Sequence, residues 1–413
     1  GEYNSTFYYA RNSSTGEYEW LSTDASTVIQ AALDALTAGR TWQEKVLLKG
    51  NLTITNTIRV SSYTILELDG IVTLADNSDC DMVQNYNQTI SETDITIIGG
   101  TWDGNKANQA SGNGIYIKTI TPASANTINI GDLYIKDPKD VGIYIDRANN
   151  NRVWNCRVRY AGSHAIQFYI VSDTLLTNIF VGSSGNNLRC EYGSSLVVSD
   201  MYLGGASSSS SGPPAQMYLK GIKNSQFSNI VVDTTGVRGI RLYGTGGDAC
   251  RHNQFSNIRV TRPLEDSNSE AIDLVGDSNN NTFTNLYIGQ KGESDDTAYG
   301  WSYGIREEDN ADYNLFNNVI ASNCTTPYDL LGANSRITNA NPKIENSGTA
   351  SNSTATTFVF NHGLAGTPVG VWASFNTTEI TSWTWTATST QITITVVGMT
   401  DDRTCYWTAE YKP

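Results

Sequence analysis

Tyrosine and charged side chains recur in eight short segments of this chain, at positions that alternate with apolar residues. Five of the sixteen positions are tyrosine and nine are charged, although only 16% of the whole chain is charged. We name these positions the polar strip: Tyr116, Lys118, Tyr144, Asp146, Gln167, Tyr169, Arg189, Glu191, Tyr218, Lys220, Arg241, Tyr243, Asp273, Val275, Arg306 and Glu308. Convergent aromatic and charged groups of this kind indicate a binding or catalytic surface.

The charges of the polar strip suit the chemistry of an acidic polymer. The strip combines five cations with four carboxylates, whereas the whole chain has a net charge of −14. Local cations attract an acidic substrate such as a uronate polymer. Cleavage of a uronate by β-elimination needs a cation facing the sugar carboxylate, a base that removes the C5 proton and an acid that protonates the leaving oxygen.

The carboxylates of the strip allow a second chemistry, which is hydrolysis. Asp146 and Glu191 occupy equivalent positions of segments that are two apart, so stacked strands would separate them by about 9.6 Å. Two carboxylates of an inverting hydrolase are separated by roughly 6.5–9.5 Å. The residues therefore leave β-elimination and hydrolysis open. Asp103, in the segment GTWDGN, is expected to be a turn residue rather than a catalyst.

The eight segments are predicted to be strands with one buried and one exposed face. They read GIYIK, GIYID, AIQFY, NLRCE, QMYLK, GIRLY, AIDLV and GIREE, beginning at residues 114, 142, 165, 187, 216, 239, 271 and 304. The positions between the strip residues are mostly apolar, which places them inside. We expect one inward column, with one residue from each coil: Ile115, Ile143, Ile166, Leu188, Ile240 and Ile272.

A second repeated element alternates with these strands and contains an Asn or Asp. It reads FSNIVV at 227–232, FSNIRV at 255–260 and FTNLYI at 283–288. A repeat of about two to three dozen residues is typical of a solenoid. The recurring residue predicts a ladder of side-chain amides that hydrogen bond from coil to coil. Its members are Asp132, Asn155, Asn178, Asp200, Asn229, Asn257, Asn285 and Asn318.

Before the repeats, residues 24–38 have the pattern of a short amphipathic helix. Val28, Ile29 and Leu33 lie on one face, and Asp24 or Ser26 is placed to cap the N-terminus. Such a helix would cover the open end of the coil stack.

Composition argues against several classes of protein. A net charge of −14 disfavours a nucleic-acid or membrane-surface partner. The apolar runs are too short to cross a bilayer. Only three histidines are present, and the six cysteines form no C-x-x-C pair, so a His-rich or Cys-rich metal site is not expected.

With these elements in place, the chain resembles the pectate-lyase-like superfamily of polysaccharide-active proteins over about residues 20–340. The capping helix, the GGTWDGNKAN segment at 99–108 and the Asn-containing coils carry the resemblance. It implies an all-β fold, with a right-handed parallel β-helix and its N-terminal capping helix in residues 1–340. It also implies a secreted protein that handles a polysaccharide as a monomer or homotrimer.

The resemblance assigns roles along the polar strip, where the superfamily has its active cleft. Lys220 and Arg241 are similar to the Lys base and Arg acid of alginate-lyase-type enzymes, and flanking arginines would lower the pKa of Lys220. Arg189, or a Ca²⁺ ion held by Glu191, would face the uronate carboxylate. His164 is an alternative base. The other strip residues would bind sugar units.

The first expectation is therefore a polysaccharide lyase that acts on a uronic-acid-containing polymer, either without a cofactor or with Ca²⁺. One alternative is an inverting glycoside hydrolase that uses Asp146 and Glu191. The other is a tailspike- or adhesin-like protein that binds a glycan without rapid turnover.

Residues 341–413 lack the coil repeat and carry alternating stretches such as TTFVF and ITITVV, which predict a small antiparallel β-domain. The stretch FNHGLAGTPVGVWASF resembles the C-terminal modules of many β-helix and tail-fibre-like proteins. Trp372, Trp383, Trp385 and Trp407 lie in this region. Most of them are expected to pack in its core, although Trp rings also stack on sugars.

Overall fold

The computed structural model describes residues 7–120, 126–182, 185–205, 215–235, 238–263, 269–289, 300–308, 310–351, 356–377, 379–398 and 403–412. Strands make up most of these residues. No helix in the described part of the chain is long and apolar enough to span a membrane.

The N-terminal elements are β1 (Tyr8–Arg11), β2 (Tyr18–Ser22) and helix α1 (Ala25–Asp34). The coil region contains β3 (Glu44–Ile54), β4 (Ile58–Val60), β5 (Thr64–Leu74), β6 (Val83–Asn85), β7 (Ile95–Ile98), β8 (Thr101–Asp103), β9 (Ile115–Lys118), β10 (Ile128–Gly131), β11 (Tyr134–Lys136), β12 (Ile143–Asp146), β13 (Arg152–Arg159), β14 (Ile166–Tyr169), β15 (Ser172–Gly182), β16 (Leu188–Glu191), β17 (Ser194–Gly204), β18 (Ala215–Lys220), β19 (Gln226–Thr235), β20 (Arg238–Gly244), β21 (Cys250–Arg251), β22 (Gln254–Pro263), β23 (Glu270–Gly276), β24 (Ser278–Asn279), β25 (Thr282–Gly289), β26 (Trp301–Glu307), β27 (Leu315–Ala321), β28 (Cys324–Asp329) and β29 (Arg336–Asn341). The C-terminal strands are β30 (Glu345–Ser351), β31 (Thr357–Asn361), β32 (Gly370–Phe375), β33 (Ser382–Ala387), β34 (Gln391–Val397) and β35 (Thr404–Glu410).

Two long parallel sheets run the length of the coil region. The strip sheet has eleven strands in the order β4, β6, β9, β12, β14, β16, β18, β20, β23, β26 and β28. The ladder sheet has fourteen strands, from β3 to β29. Because the chain passes repeatedly from one sheet to the other and each strand pairs in parallel with a strand of the next coil, the backbone winds into a solenoid. The predicted parallel β-helix is confirmed.

The core of the coil region contains the inward column predicted from the sequence. The strip-sheet register aligns Ile115, Ile143, Ile166, Leu188, Met217, Ile240, Ile272 and Ile305. All eight are completely buried. Burial of each aliphatic side chain stabilises the fold by about 1.5–3 kcal/mol. A single coil exposes one side of every such residue, so stacked neighbours are needed to bury them.

The predicted amide ladder is also confirmed. Each recurring Asn or Asp has a positive φ between 49° and 57°, a left-handed conformation that Asn and Asp tolerate better than most residues. Asn257 Nδ2 donates to Asn229 Oδ1 at 3.0 Å, and Asn257 Oδ1 accepts from Asn285 Nδ2 at 2.9 Å. Asp132 and Asp200 lack an amide donor, and each begins a run by accepting a hydrogen bond from the next coil.

Helix α1 covers the first coil, as predicted. The Asp24 carboxylate caps it by accepting hydrogen bonds from the backbone N–H groups of Ser26 and Thr27, at 3.1 and 3.2 Å. Val28, Ile29 and Leu33 are buried, with Ile29 and Leu33 in the core of the coil region.

The C-terminal residues form two small antiparallel sheets, in the orders β30–β35–β32 and β31–β34–β33. They enclose a second hydrophobic cluster that includes Phe358, Ile392, Ile394, Cys405 and Ala409. This confirms the change from parallel coils to antiparallel strands after residue 341. Independent folding of this region stays a prediction.

Candidate functional site

The polar strip forms two straight columns on the face of the strip sheet that points away from the core. The register aligns the first column: Tyr116, Tyr144, Gln167, Arg189, Tyr218, Arg241, Asp273 and Arg306. It aligns the second column as well: Lys118, Asp146, Tyr169, Glu191, Lys220, Tyr243 and Val275. The structure therefore brings the predicted residues together. Glu308 follows directly after the end of β26.

The strip is less open than the sequence predicts. Asp146, Glu191, Tyr218, Arg241 and Asp273 are all buried, and Asp273 has no exposed surface. Charged side chains on an outward face become buried when they pair with one another and with neighbouring side chains. The pairing divides the strip into two parts with different properties. The centre contains Asp146 and Glu191, and the distal end contains Arg241, Asp273 and Arg306.

At the distal end, arginines and carboxylates form a buried ion-pair cluster. Asp273 Oδ2 lies 2.9 Å from Arg238 Nε and 3.3 Å from Arg241 Nε. Glu270 contacts Arg238 at 3.1 Å and Arg306 at 2.9 Å. Burial raises the pKa of both Asp273 and Glu270, and the arginines oppose that rise. Arg241 is therefore paired with a carboxylate and is not free to act as the general acid of a β-elimination.

Lys220 lies diagonally from Arg241 and is held by aromatic side chains. Its Nζ lies 4.9 Å from the ring centroid of Tyr192 and 5.9 Å from that of Tyr243. A hydrogen bond with Tyr192 raises the pKa of Lys220. The expectation of a lowered pKa is therefore wrong, because a partner that stabilises the ammonium outweighs the opposing effect of burial.

The centre of the strip contains Asp146 and Glu191, which lie in one column with Tyr169 between them. Two strand spacings place their backbones about 9.6 Å apart. The Asp146 side chain contacts Arg147 Nη1 at 3.2 Å through Oδ2, while its Oδ1 is buried without a hydrogen-bond partner. Burial raises the pKa of Asp146, and Arg147 and Lys118 partly oppose that rise.

Glu191 has a different environment from Asp146. Arg189, two residues earlier on β16, donates from Nη2 to Oε1 at 3.0 Å and from Nε to Oε2 at 3.2 Å. A bidentate guanidinium fixes the orientation of the carboxyl group. It also occupies both oxygens with which Glu191 would bind the predicted Ca²⁺ ion. In the described residues, no group of three or more His, Cys, Asp or Glu side chains is arranged to hold a metal ion.

Aromatic rings flank this centre. Tyr116 and Tyr144 stack on each other with centroids 4.7 Å apart and planes at 15°. Burial raises the pKa of Tyr116 to about 12 and also raises that of Tyr144, so both phenols remain protonated donors. Tyr169 meets Tyr192 edge to face at 5.6 Å. Both stacked tyrosines are half-buried, and their phenols can donate hydrogen bonds to a ligand.

His164 lies just before β14 and has a restricted role. Its Nδ1 accepts a hydrogen bond from the backbone N–H of Asn186 at 3.3 Å. Burial, with a smaller effect of Arg189, lowers the pKa of His164 to about 4. This histidine is a weaker base than its unperturbed pKa suggested.

Sequence reasoning missed the partners that tune these groups, namely Arg147, Tyr192, Arg238 and Glu270. Arg147 and Tyr192 each follow a strip strand directly and have a positive φ of 58°. Arg147 and Tyr192 could have been found from their position directly after a strip strand, in the turn that follows it. Asp103 behaves as the turn residue that was predicted, because its Oδ1 accepts from the backbone N–H of Asn105 at 3.0 Å.

No protein-family model matches the chain, and no curated protein matches its sequence. Among solved structures, the A-module of the Azotobacter vinelandii mannuronan C-5 epimerase AlgE6 is similar, with a TM-score of 0.52 and 15% identity over 77% of this chain and 94% of that chain. This chain is a right-handed parallel β-helix. Geobacillus virus E2 ORF18 has a TM-score of 0.48 and 12% identity over 91% of this chain and 73% of that chain. A tailspike protein of E. coli bacteriophage HK620 in complex with pentasaccharide has a TM-score of 0.43 and 10% identity over 94% of this chain and 90% of that chain. At these identities the likeness is one of fold.

Proposed function

We propose that this β-helix hydrolyses a polysaccharide with inversion, with Asp146 as the general acid and Glu191 as the general base. The observation that carries the proposal is the contrast between two carboxylates in one column. Burial raises the pKa of Asp146, which favours the protonated form. Glu191 instead accepts two hydrogen bonds from Arg189, which hold its carboxyl group in one orientation. Two carboxyl groups whose environments differ in this way are suited to acid and base roles.

The proposed reaction uses these two environments. Asp146 donates its proton to the glycosidic oxygen as the bond from that oxygen to the anomeric carbon breaks. Glu191 removes a proton from a water molecule whose oxygen bonds to the anomeric carbon from the opposite face. The backbone spacing of about 9.6 Å is close to the roughly 6.5–9.5 Å that separates the two carboxyl groups of an inverting enzyme and admits the water. The products are a new reducing end with inverted configuration and a shortened chain.

The residues between and beside the pair supply the binding groups. Gln167 and Tyr169 lie on the strand between those of Asp146 and Glu191. An amide and a phenol at this position offer hydrogen-bond donors and acceptors to sugar hydroxyls. Tyr144 adds a protonated phenol beside Asp146. The polymer would then cross successive coils along the columns.

β-Elimination by Lys220 and Arg241 has less support. The raised pKa of Lys220 leaves little neutral amine to abstract a proton. Arg241 is paired with Asp273, Arg306 with Glu270, and Arg189 with Glu191. Three of the five cations that suggested a uronate substrate are therefore paired with carboxylates of the protein itself.

The test measures two products from a panel of neutral and acidic polysaccharides. We expect new reducing ends, an inverted anomer by NMR immediately after cleavage and no absorbance from unsaturated sugars. Asp146→Asn and Glu191→Gln should each lower turnover by about 10²–10⁴, the usual contribution of one acid–base group. Lys220→Ala should retain most of the activity and serves as the matched control.

An unsaturated product, together with loss of activity in Lys220→Ala, would instead establish the lyase reaction. Binding without either product would favour the glycan-binding alternative. We also propose that the protein is secreted, because the polysaccharides expected as its substrates are extracellular.

A further inference from the structure

The outer face of the C-terminal sheet β30–β35–β32 carries two exposed aromatic side chains. Trp372 on β32 is 56% exposed and Tyr406 on β35 is 51% exposed. Tyr406 pairs with Ser374 and Trp372 pairs with Thr408, so the two rings are diagonal neighbours. Diagonal side chains on adjacent antiparallel strands are about 7–8 Å apart. Two rings at this spacing can both contact one ligand.

The ring of Trp372 is oriented along the sheet. It lies across Gly370 so closely that a Cβ atom at that glycine would come within 2.8 Å of Trp372 Cη2. Because Gly370 has no side chain, the indole of Trp372 has space to extend along the strand. With 56% of its surface exposed, an indole that extends along the strand is accessible to a flat apolar surface of a ligand.

The remaining groups around the two rings are neutral hydroxyls. A shallow groove of about 500 Å³ is lined by Trp372 and Tyr406 and by residues that include Ser347, Thr349, Ser374 and Thr408. These four hydroxyls have no side-chain hydrogen bond to another group in the described part of the chain. They are therefore available to a ligand.

Charge restricts the class of ligand. The lining of the groove contains no charged side chain. On the same face of the strands, Glu345 and Glu410 are exposed and paired in register at one end of the sheet. Two carboxylates there disfavour an acidic sugar, while exposed rings and hydroxyls fit a neutral one.

We propose that this groove is a second glycan site, which binds a neutral sugar unit stacked on Trp372 and Tyr406 with its hydroxyl groups bonded to the serines and threonines. It is separate from the polar strip and performs no chemistry. Its role is to hold a polysaccharide on the C-terminal sheets while the strip acts on the same or another chain.

The test uses the full chain carrying Asp146→Asn, so that no sugar is consumed. The probes are neutral six-unit oligosaccharides of glucose, mannose, galactose and N-acetylglucosamine, with a uronate oligomer of the same length for comparison. Tryptophan oxidation is followed residue by residue by mass spectrometry. We expect at least one neutral probe to protect Trp372 several-fold and to leave Trp42 unprotected. Trp42 is a matched control because it is also 56% exposed.

Affinity gives an independent readout of the same site. In the Asp146→Asn chain, Trp372→Ala and Tyr406→Ala should each weaken binding of the protecting probe by about tenfold, since each removes one stacked ring. Trp42→Ala should have no effect on affinity. Circular dichroism confirms that each variant is folded.

Three results would overturn the proposal. The first is that no neutral probe protects Trp372, or that Trp42 is protected equally. The second is stronger protection by the uronate oligomer. The third is protection that depends on protein concentration without sugar, which would identify the face as a contact between copies of the chain. None of these results bears on hydrolysis at the strip, so the two proposals fail separately.

Discussion

At the scale of single residues, the pKa of Asp146 depends on its burial and on the charges around it. Burial raises its pKa, whereas the positive charges of Arg147 and Lys118 lower it. The acid must be protonated to donate, so activity falls as the pH rises through the pKa of Asp146. The basic limb of the pH–rate profile therefore reports this carboxyl group.

Arg147→Gln tests that assignment. Removal of the positive charge should raise the pKa of Asp146 further, so the acid remains protonated at higher pH. We expect the basic limb of the kcat/KM profile to move to higher pH. Lys118→Gln should move it in the same direction. Arg152→Gln, an exposed arginine on the ladder sheet, is the matched control and should leave the profile unchanged. If Arg147→Gln moves the basic limb to lower pH, or does not move it, Asp146 is not the acid.

The sequence identified the members of the strip but not their states. Period-two alternation places Asp146, Glu191 and Lys220 on one face because strand geometry dictates it. The state of each group depends instead on contacts that the alternation does not contain. Lys220 gains its raised pKa from Tyr192, which lies in a turn. Arg241 is neutralised by Asp273, a residue 32 positions later that the coil brings alongside.

At the scale of elements, the Asn ladder performs two tasks with one side chain. Asn257 has a φ of 55°, which turns the strand, and its amide links the coils on both sides. The sequence revealed this ladder because one residue type recurs at one position of the repeat. Neither task alone explains the choice, since glycine allows the same φ without an amide.

Substitutions of Asn257 separate the two tasks. Asn257→Gly keeps the conformation but loses both ladder hydrogen bonds, at a cost of about 1–3 kcal/mol. Asn257→Ala loses the same bonds and adds the strain of a left-handed residue, about 1–2 kcal/mol more. We expect the thermal unfolding midpoint to fall in the order wild type, glycine variant, alanine variant. Equal midpoints for the two variants would show that the left-handed turn contributes nothing.

At the scale of the whole molecule, the chain joins a long parallel core to a small antiparallel one. The coil core extends without interruption because each coil offers the next an identical apolar column. The antiparallel sheets have a core of their own, yet they also touch the last coil: Ile344 and Ala365 pack against the coil core, and the hydroxyl of Tyr411 donates to the Tyr328 backbone oxygen at 3.4 Å. The loss of the repeat predicted the change to antiparallel strands, but not these contacts, which involve single residues far apart in sequence.

A chain ending at residue 341 tests how far the coils depend on that contact. All the strip residues lie before this point, so turnover on a short soluble oligosaccharide should remain close to that of the full chain. Tyr328, which is completely buried, would lose its cover, and we expect the last coils to exchange amide hydrogens faster while β12 to β16 remain protected. Hydrogen-exchange mass spectrometry and a reducing-end assay measure the two effects. A shortened chain that is folded at β12 to β16 but inactive on the oligosaccharide would show that the antiparallel sheets take part in the reaction. With a long polymer as substrate, the shortened chain should lose activity in parallel with Trp372→Ala, because both changes remove the proposed neutral-sugar site but leave Asp146 and Glu191 in place.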